Sequence, residues 1–125
     1  MLPIGIENKA DALNCPIRSV LANVTGKWRI IIILALEDEP KRFGELKRCI
    51  GDITQRVLTE NLRSLQRDGY ITRTVDPGPP VAVSYELTEL GQTLVQMMKP
   101  MVYWSNDHMD QVQAARMIYD RAART

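Results

Sequence analysis

The stretch FGELKRCIGDITQRVLTENLRSLQRDGYITRTVDPGPPVAVSYEL, Phe43 to Leu87, decides the fold. Phe43, Leu46, Cys49 and Ile50 recur at helical spacing and mark one face of a short helix, with Gly51 suited to its left-handed C-terminal position. Asp52-Ile53 makes a turn. Thr54 then caps a second helix whose apolar side, Val57, Leu58, Leu62 and Leu65, continues as far as Asp68-Gly69. At about 100° per residue the opposite side carries Arg56, Thr59, Arg63 and Arg67, with Gln55 at its N-terminal edge. Tyr70 to Val75 is rich in β-branched residues and reads as a strand. Val81, Val83, Tyr85 and Leu87 alternate with Ala82, Ser84 and Glu86, the pattern of a second strand with one buried face. The intervening Asp76-Pro77-Gly78-Pro79-Pro80 is a rigid turn, with Pro77 and Gly78 suited to the central positions of type II.

Short helix, turn, longer helix and two strands are the order of a winged helix-turn-helix, and the flanks read as its support. Met1 to Leu13 has no sustained period and is expected to form a flexible arm. Asn14 reads as the N-cap of a helix in which Pro16 occupies the first turn and Ile17, Val20, Leu21 and Val24 form a stripe up to Gly26. Lys27 to Leu36 is ambiguous: its four consecutive isoleucines favour a buried strand by propensity, while its length without a turn signal allows a buried helix. Glu37-Asp38-Glu39-Pro40 stops it. Beyond the strands, Thr88 caps a helical region striped by Leu90, Leu94, Met97, Met98 and Met101, which Pro100 is expected to kink or break. A further helix is expected from about Asn106 to Ala123, carrying Val112, Ala115, Ile118, Tyr119 and Ala122. The methionines read as core or dimer contacts ahead of an effector pocket.

The 125 residues suit one compact domain with a single core. A net charge of +1 conceals a basic segment, since Lys41 to Arg73 holds eight Lys or Arg against four Asp or Glu. Such a segment in a near-neutral chain suits a local phosphate-binding face. The longest apolar run, Ile30 to Leu36, is far short of the roughly 18 residues that span a bilayer, so no membrane segment is expected. Glu7, Asn8, Lys9 and Asp11 interrupt anything resembling a secretory signal, which makes the cytoplasm the expected compartment. Cys15 and Cys49 are too few for a disulfide framework and are by default free thiols there. His108 has no ligand-spaced Cys or His beside it, so no metal is expected. There is no Ser-His-Asp constellation, Gly-rich phosphate loop or paired-carboxylate motif, and neither an enzyme nor a cofactor has positive support.

Cys15-Pro16, Gly26-Lys27-Trp28, Arg42-Phe43-Gly44-Glu45-Leu46-Lys47-Arg48, Val57-Leu58-Thr59 with Leu62 and Leu65, Asp68-Gly69, Tyr85 before Leu87-Thr88, Gly91 and Trp104 together, in this order, resemble the HxlR-type transcriptional regulators. These are winged-helix proteins of MarR-like architecture, and the resemblance covers about Cys15 to Trp104. It implies that Lys27 to Leu36 is a helix, and that the first helix and the C-terminal helices hold a homodimer. It also implies that the helix from Thr54 to Arg67 lies in the DNA major groove, on a pseudo-palindromic operator. The expected fold class is α+β, mainly helical, a winged helix-turn-helix with N- and C-terminal dimerisation helices. Residues 1–13 would be the arm, 14–104 the winged domain with the first dimer helices, and 105–125 a C-terminal dimerisation helix.

The major groove admits a helix and shows each base pair a distinct set of donors and acceptors. Gln55, Arg56 and Thr59, near the start of the second helix, are the candidates for base contact. Arg63, Arg67, Lys47, Arg48 and Arg73 are the candidates for neutralising phosphates. The wing tip has no Lys or Arg, and Ser84 stands where the family often has an acidic residue, so the tip reads as a rigid spacer. The bland alternative is that these charges only solvate a helix face. Cys15 stands at a helix N-terminus with Arg18 a turn later, surroundings that favour a thiolate. The resemblance adds that several such regulators sense oxidants or electrophiles through a cysteine in this position. Cys49, from the other subunit, is the candidate to resolve it as a disulfide; the alternative is two small buried residues. The expected partners are double-stranded DNA, a second copy of the chain and a small reactive effector. A winged-helix protein-interaction module without DNA binding is the competing function, and a small thiol redox protein is disfavoured by the absence of a C-x-x-C motif.

Overall fold

The structure, a computed structural model, describes residues 26–124. Its elements are α1 (Lys27–Ala35), β1 (Lys41–Arg42), α2 (Phe43–Ile50), α3 (Gln55–Arg67), β2 (Ile71–Asp76), β3 (Ala82–Leu87) and α4 (Glu89–Ala123). The chain divides into two compact units, the first ending at Gln92 and the second beginning at Thr93. The expected arm, the helix from Asn14 and Cys15 lie outside the described residues.

In the first unit, packing overrides local propensity at α1. The four isoleucines favour a strand, yet the segment is a helix, because α2 and α3 both pack on it and an apolar helix meets them on several sides. Ile32, Ile33 and Leu36 are buried, as are Leu46 of α2 and Leu58, Leu62 and Leu65 of α3. Ile31 alone of the four is exposed. The C-terminal end of α1 is held by the Lys41 ammonium, whose Nζ donates to the Ala35 carbonyl at 2.6 Å.

The ends of α2 and α3 follow from their sequences. The Arg42 N–H donates to Glu45 Oε1 at 3.0 Å at the start of α2, and Gly51, at φ 96°, donates to the Lys47 carbonyl at 3.0 Å at its end. Thr54 Oγ1 accepts the Val57 N–H at 3.2 Å. At the other end of α3, Gly69 (φ 84°) donates to Gln66 O at 3.1 Å and Tyr70 to Leu65 O at 3.0 Å. This paired closure with buried Tyr70 and Leu65 is a Schellman motif. It explains why the first wing strand begins at Ile71 rather than at Tyr70 as expected: the Tyr70 N–H is already committed to the helix.

The sheet is antiparallel with order β1-β3-β2, and in its register Tyr85 of β3 stands between Lys41 of β1 and Arg73 of β2. The expected alternation in β3 holds only near its end. Tyr85 and Leu87 are buried, Val83 is half-buried, and Val81 is 69% exposed and outside the strand. A two-stranded ribbon has no second layer to cover its tip, so Val75 is exposed as well. At the tip Gly78 has φ 81° and its N–H donates to Asp76 Oδ1 at 3.1 Å.

Thr88 joins the wing to α4. Its hydroxyl donates to the Gly69 carbonyl at 2.6 Å and accepts the Gly91 N–H at 3.1 Å, while its own N–H donates to Tyr70 O at 3.0 Å. A Cβ on Gly91 would collide with the Tyr70 carbonyl oxygen and lie 3.1 Å from Leu87 Cδ2. Only glycine permits that approach.

The second unit is the rest of α4. The expected break at Pro100 is absent: the helix is continuous for 35 residues with Pro100 inside it. Proline removes one main-chain hydrogen bond, and the helical turns on both sides outlast that loss. The expected stripe divides. Of its residues Met98 is buried and Leu94 half-buried, while Leu90, Met97 and Met101 are more than half exposed; Val95, outside the expected stripe, is buried, and Tyr103, Trp104, Met117, Ile118 and Tyr119 are also each more than half exposed. His108 stacks on Trp104 with ring centroids 4.7 Å apart, and its Nδ1 lies 2.9 Å from the Trp104 carbonyl oxygen.

Candidate nucleic-acid interface

The polar side of α3 is presented as a consequence of its other side. Three buried leucines fix the rotation of the helix about its axis, so Gln55, Arg56, Arg63 and Arg67 are exposed and Thr59 is half-buried. Two side chains are already engaged within the helix. The Thr59 hydroxyl donates to Gln55 O at 2.8 Å, leaving its oxygen lone pairs and methyl group for a partner. Arg56 Nε donates to Glu60 Oε1 at 3.1 Å, with the two side chains 88% and 58% exposed. That ion pair orients the guanidinium along the helix surface.

The surface has two connected depressions. A shallow one follows the first two turns of α3 and is lined by Gln55, Arg56, Thr59, Glu60 and Arg63. The second, a cleft of about 350 Å³ between α3 and the wing, is lined by Thr59, Leu62, Arg63, Gln66, Arg73 and Tyr85. Thr59 and Arg63 belong to both. The fold therefore brings the expected base readers together with two of the expected phosphate contacts, Arg63 and Arg73, although those arginines are ten positions apart in sequence. Arg67 is exposed at the end of α3 but lines neither depression.

Lys47 and Arg48 occupy the last turn of α2, where positive charge also complements the helix C-terminus. Lys47 is half-buried, and the exposed Arg48 folds back so that its guanidinium would lie 3.4 Å from a Cβ on Gly44. Cys49 is a free, exposed thiol. Its expected place on the apolar face of α2 is corrected by geometry: Leu46 is at the centre of that face, and Cys49 lies about 60° around the helix from it. The alternative of a small buried residue fails for Cys49.

Glu60, Gln66 and Tyr85 were not among the residues expected here. Gln66 follows Thr59 by seven residues and so shares its face, a signal present in the sequence. Tyr85 needs the hairpin register, which sets it opposite Arg73. Among the described residues, no group of three His, Cys, Asp or Glu could hold a metal ion, and no helix is long and apolar enough to cross a membrane.

A short helix and a longer polar-faced helix set on a third, followed by a β-ribbon, define a winged helix-turn-helix protein. The profile of the HxlR-like helix-turn-helix family matches residues 23–113, and the chain belongs to that family. It is 39% identical over 122 residues to YdeP of Bacillus subtilis, named an HTH-type transcriptional regulator, with 94% of this chain and 95% of that one aligned. The structure of the transcriptional regulator YtfH from Salmonella typhimurium superposes with a TM-score of 0.78 at 34% identity, covering 89% of this chain and 99% of the other. The redox regulator HypR in its oxidised form superposes with a TM-score of 0.70 at 40% identity, covering 74% and 96%. The chain is thus a transcriptional regulator of the helix-turn-helix type, in a family of regulators rather than enzymes.

Proposed function

We propose that this regulator binds a pseudo-palindromic operator as a homodimer, through α3 in the major groove, and that oxidants or electrophiles control it through Cys15. The observation that carries the DNA reading is the continuous polar surface from Gln55 to the wing, held by a capped helix with its apolar side buried. Gln55, Arg56 and Thr59 read base edges, whereas Arg63, Arg67, Arg73, Lys47 and Arg48 neutralise phosphates. Two copies of α3 about one helical turn apart, roughly 34 Å, reach successive major grooves.

The partner chain is a second copy. Eight large apolar side chains stand more than half exposed along α4, an amount of apolar surface that a second copy of the same helix would cover. Residues 14–104 form the winged domain with the first dimer helices, and 105–125 extend the dimer contact. Oxidation joins Cys15 of one subunit to Cys49 of the other; the two thiols give up two protons and two electrons to an oxidant such as diamide. The exposure of Cys49 and the likeness to a protein named a redox regulator support this.

Binding to the duplex upstream of the protein's own gene, measured against salt, tests the reading. Affinity falls steeply as salt rises, Arg56→Ala relaxes sequence preference, and Lys47→Ala weakens all sequences alike, with a salt slope smaller by about one. Indifference of both variants refutes the interface. Diamide changes binding in the wild type and not in Cys15→Ser; an unchanged wild type, or a Cys15→Ser variant that still responds, removes the thiol from the mechanism.

A further inference from the structure

The cleft between α3 and the wing contains more than its arginines. Arg63 and Arg73 both line it, and neither forms an ion pair among the described residues. No carboxylate lines it. Tyr85 does, and it is 92% buried, since only 8% of its surface is exposed. Its hydroxyl has no hydrogen-bond partner among the described residues. Gln66 is exposed on the rim with its amide also unengaged there.

The residue is buried but its hydroxyl oxygen is not, so the hydroxyl is open to a ligand in the cleft that Tyr85 lines. Two exposed arginines lining one cleft that has no carboxylate favour a ligand that is anionic and rich in acceptor oxygens, and a phosphate group is both. We propose that this cleft seats one phosphate group: Arg63 and Arg73 neutralise it, while the Tyr85 hydroxyl and the Gln66 amide donate to its oxygens. One group would thereby bridge α3 and the wing, next to the base-reading surface that shares Thr59 and Arg63. The assignment of a backbone phosphate rests on the DNA-binding reading above, and a free phosphate ion offers the same chemistry.

Tyr85→Phe removes the hydroxyl and keeps the ring, so the packing of β3 is retained. Gln66→Ala alters only an exposed side chain and serves as the second variant. The full chain is titrated with its upstream duplex carrying a neutral methylphosphonate at one backbone position at a time. In each half-site one position weakens the wild type about tenfold, the scale of a hydrogen bond to a charged group. Tyr85→Phe and Gln66→Ala bind unmodified duplex more weakly than wild type, and lose little further at that same position. In a second arm, inorganic phosphate is titrated at constant ionic strength and followed by the Gln66 side-chain amide resonance. Saturable binding weakened by Tyr85→Phe would assign the seat to free phosphate. If the wild type binds DNA but both variants match it, or their losses add fully to that of every methylphosphonate, and inorganic phosphate does not saturate, the seat is refuted while the DNA reading stands. If the wild type binds no DNA, that reading fails and the phosphate arm alone decides the seat.

Discussion

Replacing Glu60 by Gln separates the structural from the functional worth of the Arg56–Glu60 pair. The pair is 3.1 Å apart with side chains 88% and 58% exposed, so solvent screens it. An exposed pair one helical turn apart contributes roughly 0.3–0.5 kcal/mol. The melting temperature should therefore fall by only about 1–2 °C. On DNA the change is larger, because Glu60 lines the same depression as Arg56, Thr59 and Arg63. A carboxylate about 7 Å from a phosphate in water is repelled by roughly 0.6 kcal/mol, which 0.1 M salt about halves. Two or three such phosphates give about 0.6–0.9 kcal/mol, or roughly three- to fivefold tighter binding to any sequence. Operator binding gains less, because Arg56 loses the carboxylate that orients its fork, and a well-placed bidentate contact to guanine supplies about 1–3 kcal/mol of discrimination. Fluorescence anisotropy with operator and scrambled duplexes should show the scrambled affinity rising and the specificity ratio narrowing. If scrambled affinity is unchanged, this face of α3 does not approach phosphate; if the ratio is unchanged, Arg56 does not read a base.

Three further outcomes follow from the packing. Gly91→Ala should destabilise by about 1–3 kcal/mol in urea melts, since the new methyl meets the Tyr70 carbonyl and the helix-propensity gain of about 1 kcal/mol is too small to compensate. Lys41→Met should lower stability by roughly 1 kcal/mol through loss of the donor to Ala35 O, and leave the salt slope of DNA binding unchanged because its ammonium is held at the end of α1 and lines neither depression. Ile118→Glu, at a position 69% exposed, should leave helix content unaltered by circular dichroism and shift sedimentation from dimer to monomer; an unchanged dimer would exclude this part of α4 from the contact.

How far the sequence could be read depended on the range of the forces involved. Thr54, Gly51, Gly69 and Thr88 act on backbone groups a few residues away, and each stands at the element end its side chain or conformation implied. The leucines of α3 were legible for the same reason, because 3.6-residue periodicity is a local property. The four isoleucines were not, since helix and strand can both bury such a run and only its packing against α2 and α3 decides. Val81 fits an alternating pattern, but burial needs a neighbour, and the wing tip has none. Pro100 carries a real local penalty that a long helix absorbs. At the interface, the exposed face of α3 could be read from its spacing. The meeting of Arg63 with Arg73 and Tyr85 could not, because it depends on a strand register that no local pattern states.

The three residues between α3 and β2 turn chain length into information. Gly69 and Tyr70 both give their N–H groups to the end of the helix, and the Asp68 N–H donates to Ser64 O at 3.1 Å, so the connection has no slack. Side chains alternate faces along a strand, and one extra residue here would invert that alternation. Thr72 would then take the place of Arg73 beside the cleft, with every side chain of the motif still present. In this connector the count of residues decides which wing side chains face the cleft, and a variant with one residue more or fewer between Arg67 and Ile71 should present a different set of them there.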